Sequence, residues 1–217
     1  MKELNLLSEL NKKHDNSEFL AMAVIKKPQQ LYVLLDGISS ENLRIKFRST
    51  KIMRIISEKE PKLLYPKMDF FINLLDSENN IIKWNAMDII ANLATVDYAD
   101  KFDKIFKKYY GLLHEGRLVT AAHVVDNSWK IAKAKPNLQS KITNELLRVE
   151  KVPLPTEECR NIIIGKTILS LGNYFGQIEN KDAVISFVKK QLNNPRNATR
   201  AKAQKFLKKI QASWKKP

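Results

Sequence analysis

The sequence predicts an all-α fold: an α-solenoid of about five two-helix repeats behind an N-terminal capping helix. Three observations lead there. Apolar residues recur at spacings of three and four along nearly the whole chain, as in Ile82, Ala86, Ile89, Ile90 and Leu93, and again in Ala203, Phe206, Leu207, Ile210 and Trp214. That spacing puts each set on one face of a helix, whereas no stretch alternates apolar and polar cleanly enough for a strand. Only 6 glycines and 8 prolines occur in 217 residues, so tight turns and long loops must be few. Finally, one pattern of residues returns at a nearly constant interval.

Taken in order, residues 1–26 form the N-terminal cap and 27–214 the repeats, all within one domain, 1–217, because no linker divides the chain. The helix pairs are expected at 28–58, 61–95, 98–135, 136–176 and 181–213. The second pair shows the logic best. Pro61 opens its first helix, where a missing N–H costs nothing. That helix runs to Leu74-Leu75-Asp76, and Ser77-Glu78-Asn79-Asn80 supplies turn and capping groups. Its second helix starts at Ile82-Lys83-Trp84-Asn85-Ala86, with a small residue where two helices must approach.

The same grammar recurs. Leu34-Leu35-Asp36 precedes Ile45-Lys46-Phe47-Arg48, and Leu112-Leu113 precedes Val119-Thr120-Ala121-Ala122. Leu146-Leu147 precedes Cys159-Arg160-Asn161-Ile162, and Gln191-Leu192 precedes Thr199-Arg200-Ala201-Lys202-Ala203. The matched positions are Lys46, Lys83, Thr120, Arg160 and Arg200. Each follows the last by about 40 residues, a length that suits a solenoid. The pattern resembles the HEAT repeat, in which a first helix ends Leu-Leu, an Asp sits in the turn, and Val-Arg-x-x-Ala opens the second helix. The third repeat departs from it at Thr120, and the fourth lacks the turn Asp and carries the longer connection Val152-Pro153-Leu154-Pro155. The resemblance implies a scaffold and a ladder along the stack in which Asp36 and Asp76 pair with bases such as Lys46 and Lys83. Arg200 has fewer acidic residues near it in sequence and is expected to be free for a partner.

Charge supplies the candidate binding surface. The net charge is +15, yet the stretch from Ala183 to Pro217 contains no acid and carries +10. A polyanion is the natural partner of such an end, and solubility is the bland alternative. On the last helix Lys202, Lys205, Lys208 and Lys209 are expected opposite the apolar stripe, facing solvent. Trp214 reads as end-of-stack packing. A second cluster, Arg44, Lys46, Arg48, Lys51 and Arg54, together with Lys83 and Arg117, would make a positive groove if the second helices line one face.

Few enzymes fit. The histidines His14, His114 and His123 have no metal-ligand spacing, and a single cysteine, Cys159, allows neither a cysteine-rich zinc site nor an internal disulfide. His114-Glu115 is one His-Glu pair, too few ligands for the metal-dependent HEAT-repeat hydroxylases. No glycine-rich phosphate loop or GxSxG elbow occurs. Asp100 and Asp103 read as solvated. One catalytic resemblance remains, to HEAT-like alkylpurine DNA glycosylases, which stabilise a departing cationic base with aromatic residues and an inward Asp. Trp84 and Asp88 lie one turn apart on a second helix, with Trp129 on the next, an arrangement that suits a cation. The other functional residues of that family have no counterpart here.

The sequence thus points to a non-catalytic binding scaffold without cofactor or metal. Its partner would be a protein or a nucleic acid, met through Arg44, Lys46, Arg48, Lys83, Arg200, Lys202, Lys205, Lys208 and Lys209. The alternative is a nucleic-acid-binding protein, with Trp84 and Asp88 as glycosylase candidates. No apolar run approaches a membrane span and no signal peptide opens the chain, so a cytoplasmic location is expected.

Overall fold

The computed structural model describes residues 5–214, apart from the side chains of 213 and 214. It is all helical, with no strand among the described residues. Packing divides the chain into two compact units, residues up to Phe102 and residues from Asp103 on. No glycine- or proline-rich linker marks the division, which falls in the first turn of a helix.

The first unit holds α1 (Leu6–Leu10), α2 (Ser17–Lys26), α3 (Leu31–Ile38), α4 (Leu43–Lys59), α5 (Pro61–Leu64), α6 (Met68–Asn73) and α7 (Asn80–Leu93). The helix α8 (Lys101–Gly111) crosses the division. The second unit continues with α9 (Leu118–Ala134), α10 (Gln139–Leu147), α11 (Glu157–Tyr174), α12 (Lys181–Lys190) and α13 (Asn197–Trp214). The N-terminal cap is therefore two helices, where the sequence led us to expect one. The second helices of the expected pairs begin at Leu43, Asn80, Leu118, Glu157 and Asn197. Successive starts lie 37 to 40 residues apart.

Local chemistry sets these starts. Asn42 accepts hydrogen bonds from the N–H groups of Arg44 and Ile45, Asn79 from those of Ile81 and Ile82, and Thr156 from that of Cys159. Each satisfies donors that a helix leaves unpaired in its first turn. Several first helices open on a proline, at Pro28, Pro61 and Pro136. First helices close in tight 3-10 turns at Leu74–Asp76, Leu112–His114, Val149–Lys151 and Gln191–Asn193. The endings read at Leu74-Leu75, Leu112-Leu113 and Gln191-Leu192 fall in them, whereas Leu146-Leu147 ends the helix just before its turn and Leu34-Leu35 lies within α3. Replacing Asn79 with Ala is expected to cost about 1 kcal/mol. That lowers the thermal midpoint by about 2–4 °C; an unchanged midpoint would mean that water serves those N–H groups equally well.

In the first unit α4 packs against α2, α3 and α7, and α6 against α7. Leu20, Leu34, Ile52, Ile56, Phe71 and Ile90 are buried there, and Ala86 is fully buried at the close approach expected of it. In the second unit α9, α11 and α13 lie side by side in that order, with α10 behind α9 and α11, and α12 behind α13. Its core includes Val124, Val125, Ile142, Ile163, Leu171 and Val188.

Two phenols sit inside this second core. The Tyr110 hydroxyl bonds Ser128 Oγ at 3.1 Å, and Tyr174 Oη lies 3.0 Å from Thr143 Oγ1. Burial pushes the Tyr174 phenol from 10 up to about 12, against a smaller opposing effect of Thr143. The folded state therefore holds this proton more tightly than the unfolded chain does. The stabilisation is complete below pH 10 and is lost as pH rises toward 12. Chemical denaturation at pH 8 and pH 11.5 should show a smaller alkaline loss for Tyr174→Phe than for the wild type, and an equal loss would refute this assignment.

Among the described residues, no helix is long and apolar enough to cross a membrane.

Candidate functional site

The C-terminal unit brings three of the expected lysines together. At the start of α13, Thr199 Oγ1 donates to the Asn161 carbonyl at 2.8 Å, Asn194 Nδ2 donates to Asn161 Oδ1 at 2.9 Å, and Arg196 Nε meets Glu158 at 2.7 Å. These bonds clamp the start of α13 onto the start of α11. Gly165 lets the helices close, because a Cβ there would lie 2.7 Å from Thr199 Oγ1 and 3.4 Å from Lys202 Nζ. Further along, a Cβ on Gly172 would meet the Phe206 ring at 3.3 Å. Phe206 packs edge-on against Phe175, with ring centroids 5.2 Å apart.

An open groove of about 420 Å³ runs between the two helices. Its apolar walls come from Ile168, Leu169, Gly172, Phe206 and Ile210, and Lys202, Lys205 and Lys209 stand along one side. No acidic residue lines it. Leu169 is 49% exposed, a large apolar side chain with no cover.

The charges follow a register. Asp126 on α9 pairs with Lys166 on α11 at 2.5 Å. Lys202 on α13 comes next, and its electrostatic neighbours are Arg196, Lys166 and Asp126. Burial, then the Arg196 and Lys166 cations, hold the Lys202 ammonium below the ordinary lysine range, with Asp126 acting weakly the other way. Lys202 makes no ion pair among the described residues, and neither do Lys205 and Lys209. A half-buried cation beside other cations attracts an anion from outside.

The expected arrangement of α13 needs correcting. Lys202 is not on the side away from the stack but lies against α11, because it falls one short step round the helix from Phe206 and the apolar stripe. Lys208 is exposed and lies apart from the groove. The Trp214 side chain, Lys215 and Lys216 lie outside the described residues.

Arg200 is not free. Its guanidinium donates to the carbonyls of Asn194 and Pro195 at 2.6 and 2.9 Å, closing its own helix start.

Arg48 is taken inward as well. It is 8% exposed and donates to the backbone carbonyls of Glu9, Leu10, Lys12 and His14 and to Asn16 Oδ1. It gathers carbonyls from the end of α1 and the turn after it, of which only that of Glu9 also accepts from backbone N–H groups there. Arg44 helps, donating to the Asn11 carbonyl at 2.8 Å, but stays exposed.

The first unit has a basic hollow of its own, about 340 Å³, floored by Leu43 and Phe47 with Lys12, Lys13, Arg44 and Lys51 around it. There two of the cations have acidic partners, Lys12 with Glu9 and Lys51 with Asp15, and Arg44 and Arg48 are held by backbone carbonyls. In the C-terminal groove none of Lys202, Lys205 and Lys209 is held in an ion pair among the described residues.

Ion pairs join acids and bases far apart in the chain, and Asp76 and Lys83 each have an interaction partner within the protein. Asp36 lies within α3, and neither it nor Lys46 forms an ion pair among the described residues. The observed rungs are Asp15–Lys51, Asp69–Lys101, Asp103–Lys135, Asp126–Lys166, Glu150–Lys190 and Glu158–Arg196. In each the base follows the acid by roughly one repeat length. Asp103 is thus structural rather than solvated: it holds Lys135, which is only 5% exposed, and accepts from Asn137.

Lys83, Trp84 and Asp88 are half-buried on α7, and each has an interaction partner within the protein. Trp129, on α9, carries Lys133 over its ring at 5.1 Å. His114 is exposed in a 3-10 turn. Among the described residues, no three His, Cys, Asp or Glu side chains converge as metal ligands.

No protein-family model and no curated protein matches this chain. Among solved structures, the crystal structure of an engineered protein, a target of the Northeast Structural Genomics Consortium, is similar with a TM-score of 0.55 at 13% identity. The match covers 95% of each chain, and at that identity it speaks for a shared all-helical fold alone.

Proposed function

We propose that this chain is a HEAT-type α-solenoid acting as a non-catalytic binding scaffold, and that its C-terminal groove takes an acidic segment of a protein partner. The solenoid part rests on second helices that begin at a near-constant interval and pack side by side within each unit. The ion pairs that step from one repeat to the next support it too. A cytoplasmic setting belongs to the same proposal and rests on the sequence alone.

The observation that carries the partner class is the groove's mixed character. A pure phosphate-tracking surface needs cations and no apolar floor, whereas an uncovered apolar strip rimmed by polar groups fits a protein. Magnitudes agree. Exposed ion pairs contribute about 0.2–1 kcal/mol each, so three lysines alone give weak binding. Covering one leucine-sized side chain adds about 1.5–3 kcal/mol. The lysines set orientation and encounter rate, and the apolar floor supplies holding power.

The test is a titration of labelled probes of matched charge across a salt series: acidic peptides with leucine or phenylalanine, duplex DNA, and single-stranded DNA and RNA. The proposal expects the acidic peptides to bind most tightly. Tighter binding of an oligonucleotide, with a steep fall in salt, would replace it with the nucleic-acid reading, which the +10 charge of the stretch from Ala183 to Pro217 favours. An excision assay on alkylated DNA, with Asp88→Asn beside it, then becomes the next step for the glycosylase alternative.

A further inference from the structure

Resting on that reading, we infer that the segment bound is an amphipathic α-helix, laid along the groove with a row of carboxylates on Lys202, Lys205 and Lys209. The spacing is the first argument. These lysines are three and four residues apart on α13, so they form one row about 10 Å long. Acidic residues three and four apart on a second helix make a row of the same pitch. An extended chain, rising about 3.3 Å per residue, would bring its side chains to the lysines out of step.

Backbone chemistry is the second argument. The groove's walls are helices, whose interior N–H and C=O groups are already bonded to one another. A strand laid there finds no edge to pair with, and its own amides would be pressed unsatisfied onto Leu169 and Phe206. A helix brings its backbone already satisfied and offers only side chains. Helix-in-groove recognition also suits the floor, where the Phe206 ring is seated over Gly172 and Leu169 stands exposed for an incoming apolar side chain to cover.

The charge register is the third. Asp126 pairs with Lys166 across α9 and α11, and α13 brings Lys202 beside them with no ion pair of its own among the described residues, Asp126 acting on it only weakly. A carboxylate from the partner helix completes the row, and the half-buried position makes that contact stronger than a fully exposed pair.

The experiment compares two labelled peptides of identical composition with the full-length protein. One carries Glu at i, i+3 and i+7 beside a row of leucines; the other has the same residues scrambled so that no row forms on a helix. The inference expects the patterned peptide to bind at least tenfold more tightly and to gain helical circular dichroism on binding. Leu169→Glu, which places an acid among the groove's cations and removes its exposed apolar floor, should weaken it at least tenfold while leaving the protein's own melting unchanged. Equal binding of the two peptides, or binding without a gain in helix, overturns the helix and leaves the acidic-segment reading standing. Binding of neither overturns both.

Discussion

Replacing Arg48 with Met will detach the N-terminal cap. The substitution keeps most of the side chain's volume and removes the guanidinium that serves four backbone carbonyls and Asn16. Those carbonyls lie in the last turn of α1 and the loop after it; that of Glu9 also accepts from the Lys12 N–H, which leaves those of Leu10, Lys12 and His14 most dependent on the guanidinium. Leaving buried or part-buried acceptors without a donor costs about 1–3 kcal/mol for each that water cannot reach. Counting one or two as stranded gives a loss of roughly 3 kcal/mol. Leu6 and Leu10, 3% and 0% exposed, bury the α1 helix, which packs against α4. Amide exchange should therefore rise in α1 and the following turn well before the second unit responds. Arg44→Ala, which removes a single exposed hydrogen bond, should cost under about 1 kcal/mol. Equal costs for the two substitutions would refute the latch.

A larger effect still is expected on binding. Changing Lys202, Lys205 and Lys209 together to Ala should weaken an acidic amphipathic peptide by at least tenfold at low salt. Changing Lys62, Lys67 and Lys107, three exposed lysines on first helices, removes the same net charge and should change affinity by less than threefold. The difference isolates the groove from the bulk field of a chain of net charge +15. Equal losses in both triples would mean that overall charge, and not the groove, attracts the peptide.

Much of the all-helical fold was legible because apolar spacing and helix-end chemistry are local. The expected pairs at 28–58, 61–95 and 136–176 end within about two residues of the helices observed, and Pro28, Pro61 and Pro136 open them. Pairing between distant acids and bases was legible in kind, but not at Asp36. The expectation gave turn acids such as Asp36 to the matched bases of a neighbouring repeat; Asp36 and Lys46 make no ion pair among the described residues, and the structure joins Asp126 to Lys166 and Asp15 to Lys51. A one-turn difference along a helix leaves sequence spacing almost unchanged while choosing a different face. Reading for acids followed by a base one repeat length later would have found these rungs.

The candidate site divides the same way. Charge counting marked the C-terminal lysines, and the groove uses three of the four. It failed for Arg48 and Arg200, whose guanidinium groups are taken by backbone carbonyls. Nothing in a sequence says which carbonyls are left open until the helix ends are placed. Leu169 and Gly172 were passed over because neither is charged. The signal was there in Leu169, an apolar residue in line with Lys166 and Asn173 on the solvent side of α11.

If the groove between α11 and α13 is the binding surface, amide chemical-shift mapping with an acidic amphipathic peptide will locate the peptide there. The largest shifts should fall on Leu169, Gly172, Asn173, Lys205 and Lys209 as the peptide saturates. Shifts concentrated instead on Lys13, Arg44 and Phe47, or spread evenly over the lysines of both units, would place the peptide elsewhere and remove the groove from its role.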